Sequence, residues 1–310
     1  MILPAARPRT RAAVSALMAT LALVAGCSTP PAGQDLAPEF SPSTPHPAPA
    51  PHASLAGLHY VALGDSYAAM GSRGSTASGP QLCMRAQDNY PTELARLTGM
   101  RLEDNTCQGA ITTHITGQRS GDGTGDVLPA QAEALSPATD VISLSIGGND
   151  AGFGLLAGCA SGATNPDALK DCKGWLTPQV DASLGALPDR LDAVYTQLRE
   201  RAPHARIITT GYLPLLAASD NCEFASLINA TDRQWLVEHI NAINHTVAEA
   251  AARNGATFVV PERSEEHTGC APAPQRWTDF TGAETDSFPM HPTAEGQKAM
   301  AAAIADALRA

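Results

Sequence analysis

Short apolar runs alternate with helical patterns along the chain from Leu58 onward. Five runs are candidate strands, at residues 58–63, 101–107, 141–146, 206–210 and 257–260. Between and after them, apolar residues recur at helical spacing over residues 91–97, 184–201, 232–253 and 293–308. Strands that alternate with helices are expected to pair in parallel, because parallel neighbours need a crossover connection. The pattern therefore predicts an α/β fold, a three-layer α/β/α domain with about five strands.

Candidate chemistry stands directly after the predicted strands. Ser66 follows the first strand in the segment Gly-Asp-Ser, Gly109 follows the second, and Asn149 follows the third behind two glycines. Ligand sites in such sheets lie at the carboxyl ends of the strands. A serine at this position suits a nucleophile, while a glycine N–H and an asparagine amide are donors for an oxyanion. Taken singly, each residue also fits a turn or a helix cap, and His291 before the last helix also fits a structural role.

Four segments together resemble the SGNH hydrolases, also called the GDSL esterase/lipase family. They are ALGDSY, CQGA, SIGGND and MHP, and they occur in the order and roughly at the spacing of that family. The resemblance covers most of residues 58–308. It implies a flavodoxin-like α/β/α sandwich and the hydrolysis of carboxylic esters.

The resemblance implies a role for one residue or more in each segment. Ser66 is implied as the nucleophile and His291 as the general base. The oxyanion hole is implied to consist of the Ser66 N–H, the Gly109 N–H and the side-chain amide of Asn149. The implied reaction passes through an acyl-serine intermediate that water hydrolyses, and it needs neither a metal nor an organic cofactor.

One position departs from the family pattern. The family usually has an aspartate three residues before the histidine, where this chain has Phe288, and Asp286 stands five residues before His291. The cysteine layout and the segment CMRAQDNYP resemble the secreted actinobacterial lipase/esterase branch, in which a backbone carbonyl orients the histidine. That resemblance implies the Phe288 carbonyl as the orienting group, and Pro289 favours an extended geometry there. The Asp286 carboxylate is the alternative.

The cysteine count bears on the compartment. Six of the seven cysteines follow Cys27, and an even number in an exported chain is typical of disulfides. Their spacing alone does not choose among the possible connectivities. The resemblance to the actinobacterial branch implies that neighbours pair, as Cys83–Cys107, Cys159–Cys172 and Cys222–Cys270.

The N-terminus has the pattern of a targeting segment. Three arginines precede an apolar stretch at residues 12–22, which is too short to span a bilayer. The segment LVAGC follows and looks like a bacterial lipobox. It predicts a lipoprotein signal peptide over residues 1–26 and lipidation of Cys27, with ordinary signal cleavage as the alternative.

The composition changes again before the predicted domain. Residues 27–54 are rich in Pro, Ala and Ser, and this composition favours an extended tether over a packed core. Residues 55–310 then form the expected hydrolase domain. We expect an exported protein on the outer face of the cell membrane as a lipoprotein, with secretion as the alternative.

The charge balance limits the classes of partner that the protein can bind. The formal net charge is −11, from 20 basic and 31 acidic side chains, which excludes a nucleic-acid partner. The expected partner is an ester substrate, membrane contact is expected through the lipid anchor, and no partner protein is implied.

We expect an exported serine esterase or lipase that acts on lipid or short-chain acyl esters. The alternatives are a carbohydrate O-deacetylase and a non-catalytic surface-binding module. An apolar patch beside Ser66 favours lipids, and an open polar cleft favours sugars.

Overall fold

The first five strands of the chain form one parallel sheet. The computed structural model describes residues 54–75, 79–120, 127–161 and 171–310. The predicted signal peptide, Cys27 and the tether up to residue 53 lie outside these ranges. The strands are β1 (His59–Gly64), β2 (Arg101–Asp104), β3 (Val141–Ser145), β4 (Arg206–Thr210), β5 (Thr257–Val259), β6 (Thr278–Asp279) and β7 (His291–Pro292). Apart from their ends, β1 to β5 coincide with the predicted runs.

Helices connect the strands. They are α1 (Ser66–Ala69), α2 (Tyr90–Thr98), α3 (Thr112–Thr116), α4 (Phe153–Ala160), α5 (Cys172–Gly185), α6 (Leu187–Arg201), α7 (Glu223–Leu227), α8 (Ala230–Arg253) and α9 (Ala294–Arg309). Asn89 caps α2 and Thr293 caps α9, because each side chain accepts a hydrogen bond from an N–H in the first turn. Within the described ranges, none of the helices is both long and apolar enough to cross a membrane.

The strand order fixes where the site lies. It is β2-β1-β3-β4-β5, with parallel pairing throughout, which is the flavodoxin-like order. The predicted α/β/α fold is thereby confirmed. The chain changes direction across the sheet between β1 and β3, and ligands bind at the carboxyl ends of the strands at such a point. Ser66 follows β1 and Asn149 follows β3, so both lie at this position.

Each face of the sheet is covered by helices. Along β1, Tyr60 and Ala62 belong to the core layer under α2 and α9. Val61 and Leu63 alternate with them and belong to the larger layer under α6 and α8. Successive side chains of a strand point to opposite faces, so a strand buried on both faces is apolar throughout.

Helix α5 is the main element that the sequence pattern does not predict. Gly174, Pro178 and Gly185 disfavour a helix interior, and the segment has little helical periodicity. The helix forms because Leu176 and Val180 are buried in the larger core layer. The predicted helix that began at residue 184 therefore begins at Leu187, after α5 has ended.

Candidate active site

The end of β1 brings Ser66 to the carboxyl edge of the sheet. A Cβ atom at Gly64 would lie 2.6 Å from the Ser145 carbonyl oxygen, so only glycine fits between β1 and β3 here. The Asp65 carboxylate then accepts a hydrogen bond from the Tyr67 N–H at 3.0 Å and caps α1. Ser66 is thus the first residue of α1, and its side chain is directed toward His291.

His291 faces Ser66 from the antiparallel pair of β6 and β7, where it is the register partner of Asp279. Its Nε2 atom lies 2.9 Å from Ser66 Oγ, and its Nδ1 atom lies 2.8 Å from the Pro289 carbonyl oxygen. A carbonyl oxygen only accepts, so Nδ1 carries the ring proton of the neutral imidazole. Nε2 is therefore left as the acceptor for the Ser66 hydroxyl.

The surroundings of His291 favour its neutral form. Burial lowers the pKa of His291 below its usual value of 6.5, although the hydrogen bond to the Pro289 carbonyl opposes this shift. The Tyr67 ring packs beside the imidazole, with 5.6 Å between the ring centroids. At neutral pH the ring is therefore predominantly in the form that accepts a proton.

The predicted orienting role of the Phe288 carbonyl is wrong. Residues 288–291 form a turn in which the His291 main-chain N–H donates to the Phe288 carbonyl at 3.2 Å. Pro289 is the second residue of the turn and Met290 is the third, with a φ of +61°, as in a type II turn. The His291 ring donates to the next carbonyl instead, that of Pro289.

Asp286, the alternative partner of His291, is engaged elsewhere. Its Oδ2 atom accepts a hydrogen bond from the Gly74 N–H at 3.1 Å, and its Oδ1 atom lies 3.6 Å from Arg73 Nε. The Arg73 N–H also donates to the Asp286 carbonyl at 2.7 Å. Asp286 therefore ties the loop at residues 72–74 to the segment that leads to His291.

The three predicted oxyanion donors line one cavity together with His291. As the first residue of α1, Ser66 has a main-chain N–H without an intrahelical acceptor. The Gly109 N–H meets no acceptor among the described residues. The Asn149 amide nitrogen donates one hydrogen bond to the Ala110 carbonyl at 2.8 Å, which leaves its second N–H for a ligand.

A buried arginine holds the peptide that carries the Gly109 N–H, one of the predicted donors. Arg119 Nη1 donates to the Gln108 carbonyl at 2.6 Å. Among the described residues every peptide bond is trans, and the C=O and N–H of a trans peptide point in opposite directions. Fixing the Gln108 carbonyl therefore directs the Gly109 N–H away from Arg119. Gly109 itself has a φ of +67°, which glycine adopts without strain. No sequence motif marks Arg119, because the contact joins residues from separate segments.

Three disulfides join Cys83 to Cys107, Cys159 to Cys172 and Cys222 to Cys270, the pairing that the family resemblance implies. The first one supports the segment of the Gly109 donor. Cys107 directly precedes Gln108, and the Gln108 N–H donates to the Cys83 carbonyl at 3.1 Å.

An apolar cavity of about 270 Å³ opens beside Ser66. Its wall is built mainly by α4, by the segment after β4 and by α8. The aliphatic side chains in this wall are Leu156, Ala157, Ala160, Leu213, Leu215, Leu216, Leu236, Val237 and Ile240. Phe153, Pro289 and Met290 add to the apolar lining. The polar lining includes Ser66, His291 and the predicted oxyanion donors.

Solved structures share this architecture. An extracellular lipase from Streptomyces rimosus matches with a TM-score of 0.67 at 27% identity, over 82% of this chain and 100% of that one. A phospholipase A1 from Streptomyces albidoflavus matches with a TM-score of 0.62 at 28% identity, with the same coverage. The fold is that of an α/β carboxylic ester hydrolase.

Sequence comparison gives the family. The chain is 34% identical to Lipase 2 of Streptomyces coelicolor over 285 residues, which cover 88% of this chain and 92% of that protein. The profile of the GDSL-like Lipase/Acylhydrolase family matches residues 62–299. The chain therefore belongs to the GDSL-like lipase/acylhydrolase family.

Proposed function

We propose that this protein is an exported serine esterase or lipase that hydrolyses acyl esters through an acyl-serine intermediate. The observation that carries the proposal is the 2.9 Å contact between Ser66 Oγ and His291 Nε2 in the lining of an apolar cavity. A nucleophile within hydrogen-bond reach of a base, with the base oriented by a third group, is the arrangement that activates a serine. The third group here is the Pro289 carbonyl.

The first half of the reaction forms the acyl-enzyme. Ser66 Oγ bonds to the ester carbonyl carbon while its proton passes to His291 Nε2. The carbonyl oxygen becomes an oxyanion that accepts from the Ser66 N–H, the Gly109 N–H and the Asn149 amide. The bond to the alcohol oxygen then breaks, and His291 returns the proton to the departing alcohol.

The second half releases the acid. Water bonds to the acyl carbon and gives a proton to His291 Nε2, and the oxyanion forms again at the same donors. The bond to Ser66 Oγ breaks, and Oγ takes the proton back from His291 as the carboxylic acid leaves. The imidazole thus acts as base and acid in turn, and its lowered pKa supports the neutral starting form.

The cavity lining supports an acyl substrate over an acetylated sugar. Aliphatic and aromatic side chains make up its wall, and such a wall stabilises an acyl chain by removing apolar surface from water. A sugar ring brings hydroxyl groups that need hydrogen-bond partners, and burying them without partners is unfavourable. The phospholipase A1 similarity is consistent with an acyl substrate.

The test is the hydrolysis of p-nitrophenyl esters from C2 to C16 by the full chain. Ser66→Ala is expected to lower kcat by at least roughly 10³-fold, and Asn149→Ala by about 10²–10³-fold. Ser226→Ala, the same truncation at an exposed position on α7, is expected to retain wild-type turnover. A fluorophosphonate probe should label the wild type at Ser66. Turnover that survives in Ser66→Ala contradicts the mechanism.

The cellular location is a separate part of the proposal. Three disulfides support export, since such bonds persist in oxidising compartments. The LVAGC segment supports lipidation of Cys27, and two or three acyl chains suffice for stable anchoring. In a bacterial host fed an alkynyl fatty acid, the full chain is expected to take up label and to fractionate with membranes. Cys27→Ser is expected to lose both properties, and label retained by Cys27→Ser contradicts the anchor.

A further inference from the structure

The hydroxyl of Tyr212 bridges the two loops that carry the nucleophile and the asparagine donor. It donates to Asp65 Oδ2 at 2.6 Å and accepts from the Gly148 N–H at 2.7 Å. Asp65 directly precedes Ser66, and Gly148 directly precedes Asn149. Tyr212 and Asp65 are buried, at 0% and 1% exposure, so no solvent competes for these hydrogen bonds.

Tyr212 is itself held from several sides. Asn244 on α8 accepts from the Tyr212 N–H at 2.7 Å and donates to the Tyr212 carbonyl at 2.9 Å. The ring packs edge-on against Tyr67 and Phe153, with centroid distances of 5.0 and 4.5 Å. The main chain and the ring of Tyr212 are therefore fixed, so its hydroxyl is held in one position.

The conformation of the loop after β3 depends on a hydrogen bond to this hydroxyl. Gly147 has a φ of +113°, and a Cβ at Gly148 would lie 2.5 Å from the Phe153 ring. Two consecutive glycines restrict their own conformation little, so hydrogen bonds decide the path of the loop. The Gly148 N–H bond to Tyr212 fixes the main chain immediately before Asn149.

The charge state of Asp65 depends on the same hydroxyl. Burial raises the pKa of Asp65 to about 7, and the hydrogen bond from Tyr212 opposes that rise. The Tyr67 N–H also donates to this carboxylate. Removing the hydroxyl thus leaves a buried carboxyl without its shortest hydrogen bond and the Gly148 N–H without an acceptor.

We propose that Tyr212 is a positioning residue whose hydroxyl sets the distance between the Ser66 nucleophile and the Asn149 oxyanion donor. Tyr212 is absent from the residues that line the cavity in the described part of the chain, so it acts through its neighbours and does not touch the substrate. The proposal rests on the serine esterase function proposed above. It adds a residue that no sequence motif marks, although Tyr212 follows β4 at the same edge of the sheet.

Tyr212→Phe removes the hydroxyl alone, and Tyr195→Phe is its matched control. Tyr195 is equally buried, and its hydroxyl pairs with Thr209 Oγ1 on β4 at 2.6 Å. Tyr212→Phe is expected to lower kcat on p-nitrophenyl butyrate by about 10- to 100-fold, because small displacements of reacting groups cost this much. Its KM is expected to stay within about threefold, since the cavity wall is unchanged. Tyr195→Phe is expected to keep kcat within about threefold while its Tm falls.

A transition-state mimic separates positioning from general destabilisation. A trifluoromethyl ketone bonds to the serine as a tetrahedral adduct with an oxyanion, so its affinity depends on the donors. Its Ki is expected to rise in Tyr212→Phe by the same factor by which kcat/KM falls, and to stay unchanged in Tyr195→Phe. Equal losses of kcat in the two variants, or a Tyr212→Phe effect confined to KM, would overturn the proposal.

Asn244→Ala keeps the proposal testable if Tyr212→Phe does not fold. It releases the main chain of Tyr212 without removing the hydroxyl, and it is expected to lower kcat by at least about threefold with KM retained. Unchanged kcat in Asn244→Ala then overturns the role of Tyr212. Wild-type turnover that does not depend on Ser66 overturns the serine mechanism and this role together. Ser66-dependent turnover that is insensitive to Tyr212→Phe overturns only the role of Tyr212.

Discussion

His291 donates from Nδ1 to the carbonyl oxygen of Pro289, only two residues before it in the chain, at 2.8 Å. The acceptor is a neutral dipole within the same turn, whereas a triad uses a carboxylate from elsewhere. The turn therefore fixes both the tautomer and the direction of the imidazole in one local unit. Met290 occupies the strained position of this unit, with a φ of +61°, and its N–H donates to the Asp279 carbonyl at 2.7 Å.

Removal of the Asp286 carboxylate tests this assignment. Asp286→Ala is expected to leave kcat within about threefold of wild type, because the carboxylate contacts Gly74 and Arg73 and not His291. The loss of stability is expected to be small, since the ion pair is exposed. The measurement is kcat on p-nitrophenyl butyrate together with Tm. A decrease in kcat near 10⁴-fold, typical of removing a triad carboxylate, would show that Asp286 is the partner of His291.

The pH profile tests the environment of His291. The base must be neutral to accept the Ser66 proton, so activity falls as pH drops through the pKa of His291. Burial lowers that pKa below 6.5, and the acid limb of log(kcat/KM) is therefore expected to have its midpoint below pH 6.5. Asp286→Ala should show the same midpoint. A midpoint near 7 would contradict the assignment of this limb to His291 and would assign it to Asp65, whose pKa burial raises to about 7.

The chain's pattern predicts the sheet better than the turn that holds the base. Strands β1, β3 and β4 are buried on both faces, so their apolar runs stand out in the sequence. The turn at residues 288–291 has Pro289 at its second position, which the sequence offers as a signal. Its third position usually needs glycine or asparagine, and Met290 gives no such signal. The predicted acceptor was wrong by one residue for this reason.

Contacts between separate segments are the other part that sequence does not reveal. Ser66, Gly109 and Asn149 stand out in the sequence because they follow strand ends and lie in segments that resemble the SGNH hydrolases. Arg119 and Tyr212 act behind those residues through hydrogen bonds to a main-chain carbonyl and a main-chain N–H. Such partners have no fixed spacing in the sequence from the residue they support, so they can be identified only from the folded structure.

The peptide held by Arg119 gives a further prediction. Arg119→Met frees the Gln108 carbonyl and lets the Gly109 N–H rotate away from the oxyanion. We expect kcat to fall by roughly 10- to 100-fold, with KM little changed. This decrease does not exceed the decrease in kcat expected when a whole oxyanion donor is removed. The measurement is the steady-state rate on p-nitrophenyl butyrate, with a thermal melt on the same sample.

Arg85→Met is the control for that variant. Arg85 Nε also donates to a main-chain carbonyl in this region, that of Thr106 at 2.7 Å. The N–H of the same peptide belongs to Cys107 and donates to the Gly64 carbonyl, so it is structural. Arg85→Met is expected to lower Tm while kcat stays within about threefold. Equal losses of kcat in the two variants would show that Arg119 only stabilises the fold.

The disulfides are expected to differ in their effect on activity. The double variants Cys83→Ala/Cys107→Ala and Cys222→Ala/Cys270→Ala open loops of 24 and 48 residues, which predicts a loss of about 3–4 kcal/mol in the free energy of unfolding for each. Of these two pairs, only the first adjoins Gln108. At temperatures where the variants are still folded, we therefore expect only the removal of Cys83–Cys107 to lower kcat. Urea unfolding and steady-state rates measure the two effects. Unchanged kcat without Cys83–Cys107 would show that the loop keeps its shape unaided.

The cavity wall is expected to set the preferred acyl length. Ile240 on α8 lines this wall, and Ile240→Trp is expected to fill part of the cavity. Each excluded methylene costs about 1–3 kcal/mol of transition-state binding, so the ratio of kcat/KM for C12 over C4 esters should fall by at least about 10-fold. His245→Trp adds the same ring to an exposed position of α8 and should leave the ratio unchanged. A ratio that Ile240→Trp does not alter would mean that the acyl chain leaves Ser66 along another wall, with the alcohol portion of the ester in the cavity.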